Sequence, residues 1–81
     1  MILVNENTLV AARSVDIIRV ARSIDQVTLE VQVWSGTNCM VAEDGYDPWD
    51  GAHMTRARIL MHELAAKVDD ELSSQRGQPA A

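Results

Sequence analysis

The stretch Val27-Thr28-Leu29-Glu30-Val31-Gln32-Val33-Trp34 alternates aliphatic with mostly polar side chains over eight residues. In an extended chain successive side chains point to opposite faces. Val27, Leu29, Val31 and Val33 therefore share one face, and Thr28, Glu30, Gln32 and Trp34 share the other, which defines a strand buried on its aliphatic side. Ser35-Gly36 ends it with a turn, and Cys39 to Ala42 returns beside it as a second short strand. Upstream, Asp16 to Arg22 reads two ways. Ile17, Val20, Ala21 and Ile24 fit helical spacing, whereas Val15, Ile17, Ile18 and Val20 are β-branched. The shortness of the stretch and the polar connection Arg22 to Gln26, of hairpin length, favour strand. Ile2 to Val4, a turn at Asn5-Glu6-Asn7 and Thr8 to Ala11 complete a meander of short strands.

The second half changes period. Met54, Ala57, Leu60, Met61, Leu64, Ala65, Val68 and Leu72 repeat at three- and four-residue spacings, which lays them on one stripe of a helix. Asp47-Pro48-Trp49-Asp50 reads as its start, with Asp47 as cap and Pro48 at the first helical position, where its missing N–H is harmless. Gly51 weakens that first turn by ~1 kcal/mol relative to alanine, so the regular helix is expected to begin a few residues later. Beyond Leu72 the apolar period stops, and Gly77 and Pro79 are helix breakers. The expected fold is α+β in a single domain over 1–73: a small antiparallel sheet over about 1–42, an acidic loop 43–50, one long C-terminal amphipathic helix over about 48–72, and a flexible tail 74–81.

The chain is 81 residues long, 47% hydrophobic and 23% charged, too short for two cores and too apolar for disorder. No apolar run approaches the ~20 residues that span a bilayer, and Met1 is not followed by a signal-peptide pattern, so no membrane role is expected. One cysteine excludes an intrachain disulfide and fits a cytoplasmic setting. Twelve acidic against seven basic residues give a net charge of -5, which repels a phosphate backbone and disfavours direct nucleic-acid binding. The acidity keeps the chain soluble or draws it to a partner protein with a basic surface.

Motifs for catalysis or cofactors are missing. Glu43, Asp44, Asp47 and Asp50 put four carboxylates into eight residues, but Asp44, Asp47 and Asp50 are three apart and Thr55 stands twelfth from Asp44, which does not match a calcium loop. His53 and His62 are nine apart, on opposite sides of a helix, and are expected at the surface. Cys39 lacks a nucleophile motif and is expected as a small core residue. Neither enzymatic activity nor a cofactor is expected.

Two features point outward. Trp34 shares the polar face of the best strand, where it either waits for a partner or folds over the sheet edge onto Trp49. Arg56 and Arg58 near the helix start and Asp69, Asp70 and Glu71 near its end reverse the order that the helix dipole favours. Two antiparallel copies would match these charges, with Ile59 and Ala66 off the core stripe supplying apolar contact, so a homodimer is expected. The expected function is a non-catalytic acidic protein-binding module that occupies a site on a larger macromolecular complex through Trp34, Glu43, Asp44, Trp49, Asp69, Asp70 and Glu71. Its size and acidity are of the type found among phage and mobile-element inhibitors of host defence, including anti-CRISPR proteins. A structural or assembly adaptor is the alternative, and a small-ligand or divalent-metal binder using the 43–50 loop is the third.

Overall fold

The computed structural model describes residues 1–77; the end of the expected tail, 78–81, lies outside the described residues. The chain runs β1 (Ile2–Asn5), β2 (Thr8–Val10), a single 3-10 turn (Ala12–Ser14), β3 (Ile17–Arg22), β4 (Leu29–Ser35), β5 (Asn38–Tyr46) and α1 (Gly51–Gly77). This is the α+β arrangement expected: antiparallel strands, then one helix. The strands form two sheets instead of one meander. β1 and β2 make a hairpin of their own, and β3-β4-β5 make the main sheet with β4 central. The ambiguous stretch at 16–22 is strand from Ile17 onward, paired from Ile17↔Trp34 to Arg22↔Leu29.

The core lies between the aliphatic face of β4 and the helix stripe. Val31, Val33, Ala57 and Leu64 are buried, with Ile18, Val20, Leu29, Met40, Leu60, Met61 and Val68 packed around them. All eight stripe positions from Met54 to Leu72 are buried or half-buried. The β1–β2 hairpin adds Ile2, Val4 and Val10 to the same cluster, and Asn5 Nδ2 donates to Val41 O at 2.7 Å, which ties the hairpin beside β5.

Five local expectations are corrected. Val27 leaves the aliphatic row, because β4 begins only at Leu29 and Val27 stands exposed in the preceding turn. Cys39 is exposed on the outer sheet face, not in the core. β5 continues through Glu43 and Asp44 to Tyr46, because Tyr46 pairs with Leu29 and is buried. The helix cap is Asp50 instead of Asp47. Asp50 Oδ1 accepts from Ala52 N at 2.9 Å and His53 N at 3.4 Å. Asp47 to Asp50 instead form a tight turn closed by Asp50 N to Asp47 O at 3.1 Å, with Pro48 at the second position that such turns favour. α1 also extends past Leu72 to Gly77. At ~1.5 Å per residue its 27 residues span about 40 Å, and the molecule measures 51 × 25 × 20 Å. The last turns of α1 therefore project past the sheet. No helix among the described residues is long and apolar enough to cross a membrane.

Candidate binding surfaces

Register fixes which loops share an end. Arg22 pairs with Leu29 and Leu29 with Tyr46, so the β3–β4 turn and the β5–α1 connection leave the sheet at the same end. At that end stand Ile24, 99% exposed, Val27, 70% exposed, and Trp49, 92% exposed. Isolated exposed aliphatics are ordinary, but three large apolar side chains at one end, one of them a tryptophan, form the composition of a binding hot spot.

Both turns are braced. Asp25 accepts at Oδ1 from the Ser23 hydroxyl, from Val27 N at 2.9 Å and from Thr28 N at 3.1 Å. These bonds favour the ionised carboxylate, with the Ser23 hydroxyl first, and hold Asp25 at about 2 instead of the ordinary 3.8. Gln26 sits at φ 65, a left-handed position closed by Gln26 N to Ser23 O at 3.0 Å, while Arg22 Nη1 donates to Gln26 O at 3.0 Å. Ile24 and Val27 are thus carried on a stiff turn. Across the end, Asp47 Oδ1 accepts from Trp49 N at 2.9 Å and Asp47 N donates to His53 Nδ1 at 3.0 Å. Because Nδ1 accepts, the neutral imidazole carries its proton on Nε2, which faces Asp50 Oδ2 at 3.7 Å. Of the carboxylates of the 43–50 segment, Asp47 therefore serves the turn and Asp50 the cap, and the two flank Trp49.

A second surface is the sheet face away from the helix, lined by Ile17, Arg19, Ala21, Glu30, Gln32, Trp34, Cys39 and Val41. Its centre is a chain of polar side chains. Arg19 Nε and Trp34 Nε1 both donate to Gln32 Oε1, at 3.0 and 2.9 Å, and Gln32 Nε2 donates to Glu30 Oε2 at 3.0 Å. The Arg19 guanidinium lies 5.4 Å from the Trp34 ring centroid. These contacts leave Glu30 8% and Gln32 7% exposed although no helix covers them. Cys39 lies beside this chain. Burial pushes its thiol up, the Glu30 carboxylate adds to that and Arg19 opposes it, so the thiol stays protonated at neutral pH.

The residues singled out in the sequence do not form one site. Trp34 lies near the Ser35 end of β4 and Trp49 in the connection that leaves beside its Leu29 end, and the strand from Leu29 to Trp34 is ~17 Å long, so the two do not pack on one another. Glu43 and Asp44 are exposed on β5. The buried Tyr46 hydroxyl is pushed up to about 12, by burial first and by Glu43 second, with the charge of Arg56 opposing. Asp69 and Asp70 are exposed, and Glu71 is half-buried with its Oε1 2.8 Å from the amino group of Met1. Arg56, Arg58, Ile59 and Ala66 are all exposed on α1. Sequence reading missed Ile24 and Val27. The available signal was a large aliphatic between Ser23 and Asp25, in a segment otherwise composed as a turn.

Among the described residues no three His, Cys, Asp or Glu side chains converge to hold a metal ion, and no enclosed cavity is present. The geometry defines a small α+β protein whose recognisable features are external: a braced apolar end and an open sheet face. No family model, curated protein or solved structure matches this chain.

Proposed function

We propose that this protein is a non-catalytic binding module that docks on a larger protein assembly in the cytoplasm through the end bearing Ile24, Val27 and Trp49. The supporting observation is that these three side chains are held outward by turns already locked by Asp25 and Asp47. A preorganised loop loses little conformational entropy on binding, and tryptophan in an apolar patch is a frequent energetic anchor. The neighbouring carboxylates Glu43, Asp44, Asp47 and Asp50, in a chain of net charge -5, select a partner whose apolar pocket is rimmed by basic groups. Within this class we favour an inhibitor of host machinery of the anti-CRISPR kind, carried by a phage or mobile element, which acts by occupying its target's site.

Affinity capture from lysate of the source cells tests the reading. Wild-type protein retains a partner, and the triple variant Ile24→Ser, Val27→Ser, Trp49→Ala loses it while keeping its fold by circular dichroism. Retention of the same partner by the triple variant overturns the docking end. The partner's own activity then separates inhibitor from adaptor, since it falls on binding in the first case and is unchanged in the second.

A further inference from the structure

The main sheet has two edges, and the fold treats them differently. The β5 edge lies beside the β1–β2 hairpin and is tied to it through Asn5 Nδ2 and Val41 O. Among the described residues β3, at the other edge, pairs only with β4. Backbone hydrogen bonds of an antiparallel pair alternate. Ser23 N donates to Thr28 O at 2.9 Å, and by the register Ala21, Arg19 and Ile17 are the next residues bonded to β4. The N–H and C=O groups of Ile18, Val20 and Arg22 therefore point out of the sheet. Asp16 N also donates to Trp34 O, at 2.8 Å, just before the strand begins.

The charge at this edge is opposite to that of the molecule. From Ile17 to Arg22 the strand carries Arg19 and Arg22 and no acid, in a protein of net charge -5. Arg19 is also immobilised: Gln32 takes its Nε and the Trp34 ring lies against it, yet no carboxylate pairs with it among the described residues. Its two terminal nitrogens remain as a fixed pair of donors, which suits a carboxylate taken in bidentate fashion. A residue on an added strand opposite Arg19 would put its side chain on the same outer face, with Cβ atoms ~5 Å apart. A second copy of this chain pairing β3 to β3 would instead bring two arginine-bearing edges together. Like charges oppose that arrangement, one of the ways natural sheets protect a free edge.

We propose that the β3 edge accepts an extended acidic peptide strand from a partner, its backbone bonding to Ile18, Val20 and Arg22 and one of its carboxylates seated on Arg19. This site adjoins the Ile24–Val27–Trp49 end at Arg22, whose Nη1 braces the β3–β4 turn, but uses none of those three side chains. The probe is a blocked octapeptide alternating valine and glutamate, with a valine–lysine peptide as control. Hydrogen exchange followed by NMR should show the amides of Ile18, Val20 and Arg22 gaining protection with the glutamate peptide only. Arg19→Gln should weaken binding about tenfold, and Arg19→Lys should recover only part of it, because a point charge lacks the paired donors. The three amides are read in the same folded variants, so loss of fold is seen directly. No protection at millimolar peptide, equal protection by the lysine peptide, or binding indifferent to Arg19→Gln overturns the proposal. Protection of the same amides that rises with protein concentration in the absence of peptide overturns it in favour of a second copy.

Discussion

Replacing Asp50 by alanine removes the acceptor that caps α1, and the cost can be worked out from the geometry. Its Oδ1 makes one short bond, to Ala52 N at 2.9 Å, and one long bond, to His53 N at 3.4 Å. Exchange of a capping Asp for alanine costs ~0.5–2 kcal/mol. The side chain is 46% exposed and only one of its bonds is short, so the middle of that range, about 1 kcal/mol, is expected. Marginal stability of ~0.05–0.15 kcal/mol per residue gives this 81-residue domain about 4–12 kcal/mol in total, so the cap is a visible fraction. The melting temperature should fall by ~4–8 °C. Asp50→Asn keeps an oxygen acceptor and should lose only a few tenths of a kcal/mol through the helix dipole. Urea unfolding of Asp50→Ala, Asp50→Asn and Asp47→Ala, with a common slope, measures all three. Asp47→Ala should cost less than Asp50→Ala, since Asp47 braces a turn and not the helix. The reverse order would refute the assignment of the cap.

Three further outcomes are expected. Leu64→Ala empties a buried position between helix and sheet and should cost ~2–5 kcal/mol by the same urea assay; a loss below ~1 kcal/mol would mean that the helix packs on a different face. The Asp25 carboxyl is held at about 2, below its ordinary 3.8, so the support it gives the β3–β4 turn is complete above about pH 4 and disappears as pH falls through about 2. Its carboxyl carbon, followed by NMR, should titrate near 2 in the wild type, and a midpoint near 4 would show that the brace is not formed. For the proposed homodimer built on α1, Arg56→Glu with Arg58→Glu should lower the dimer fraction in light scattering, and adding Asp69→Lys with Asp70→Lys should restore it. A monomer mass at ~100 µM for the wild type would sink the dimer, because an interface that weak would leave the protein monomeric at cellular concentrations.

The elements and their order were legible in the amino-acid sequence. A period of two at Leu29, Val31 and Val33 and a period of about 3.6 from Met54 to Leu72 report which residues leave water, and burial dominates folding strongly enough that these patterns override local ambiguity. Even the stretch 16–22, which fits both periods, could be read as strand from its branched side chains and its spacing to the next strand. The details that depend on pairing were set by the folded chain. Whether Glu43 to Tyr46 is loop or strand turned on Tyr46 finding Leu29 across β4. Whether Asp47 or Asp50 capped the helix turned on which carboxylate the closing turn left nearest the free N–H groups. The candidate surfaces were the least legible. Ile24, Val27 and Trp49 share an end only through strand register, and Arg19 meets Trp34 and Gln32 only because β3 lies against β4. Periodicity records the distance of a side chain from water along one element, whereas a binding surface is made of neighbours on different elements, and it is the long-range pairing of the chain that makes them neighbours.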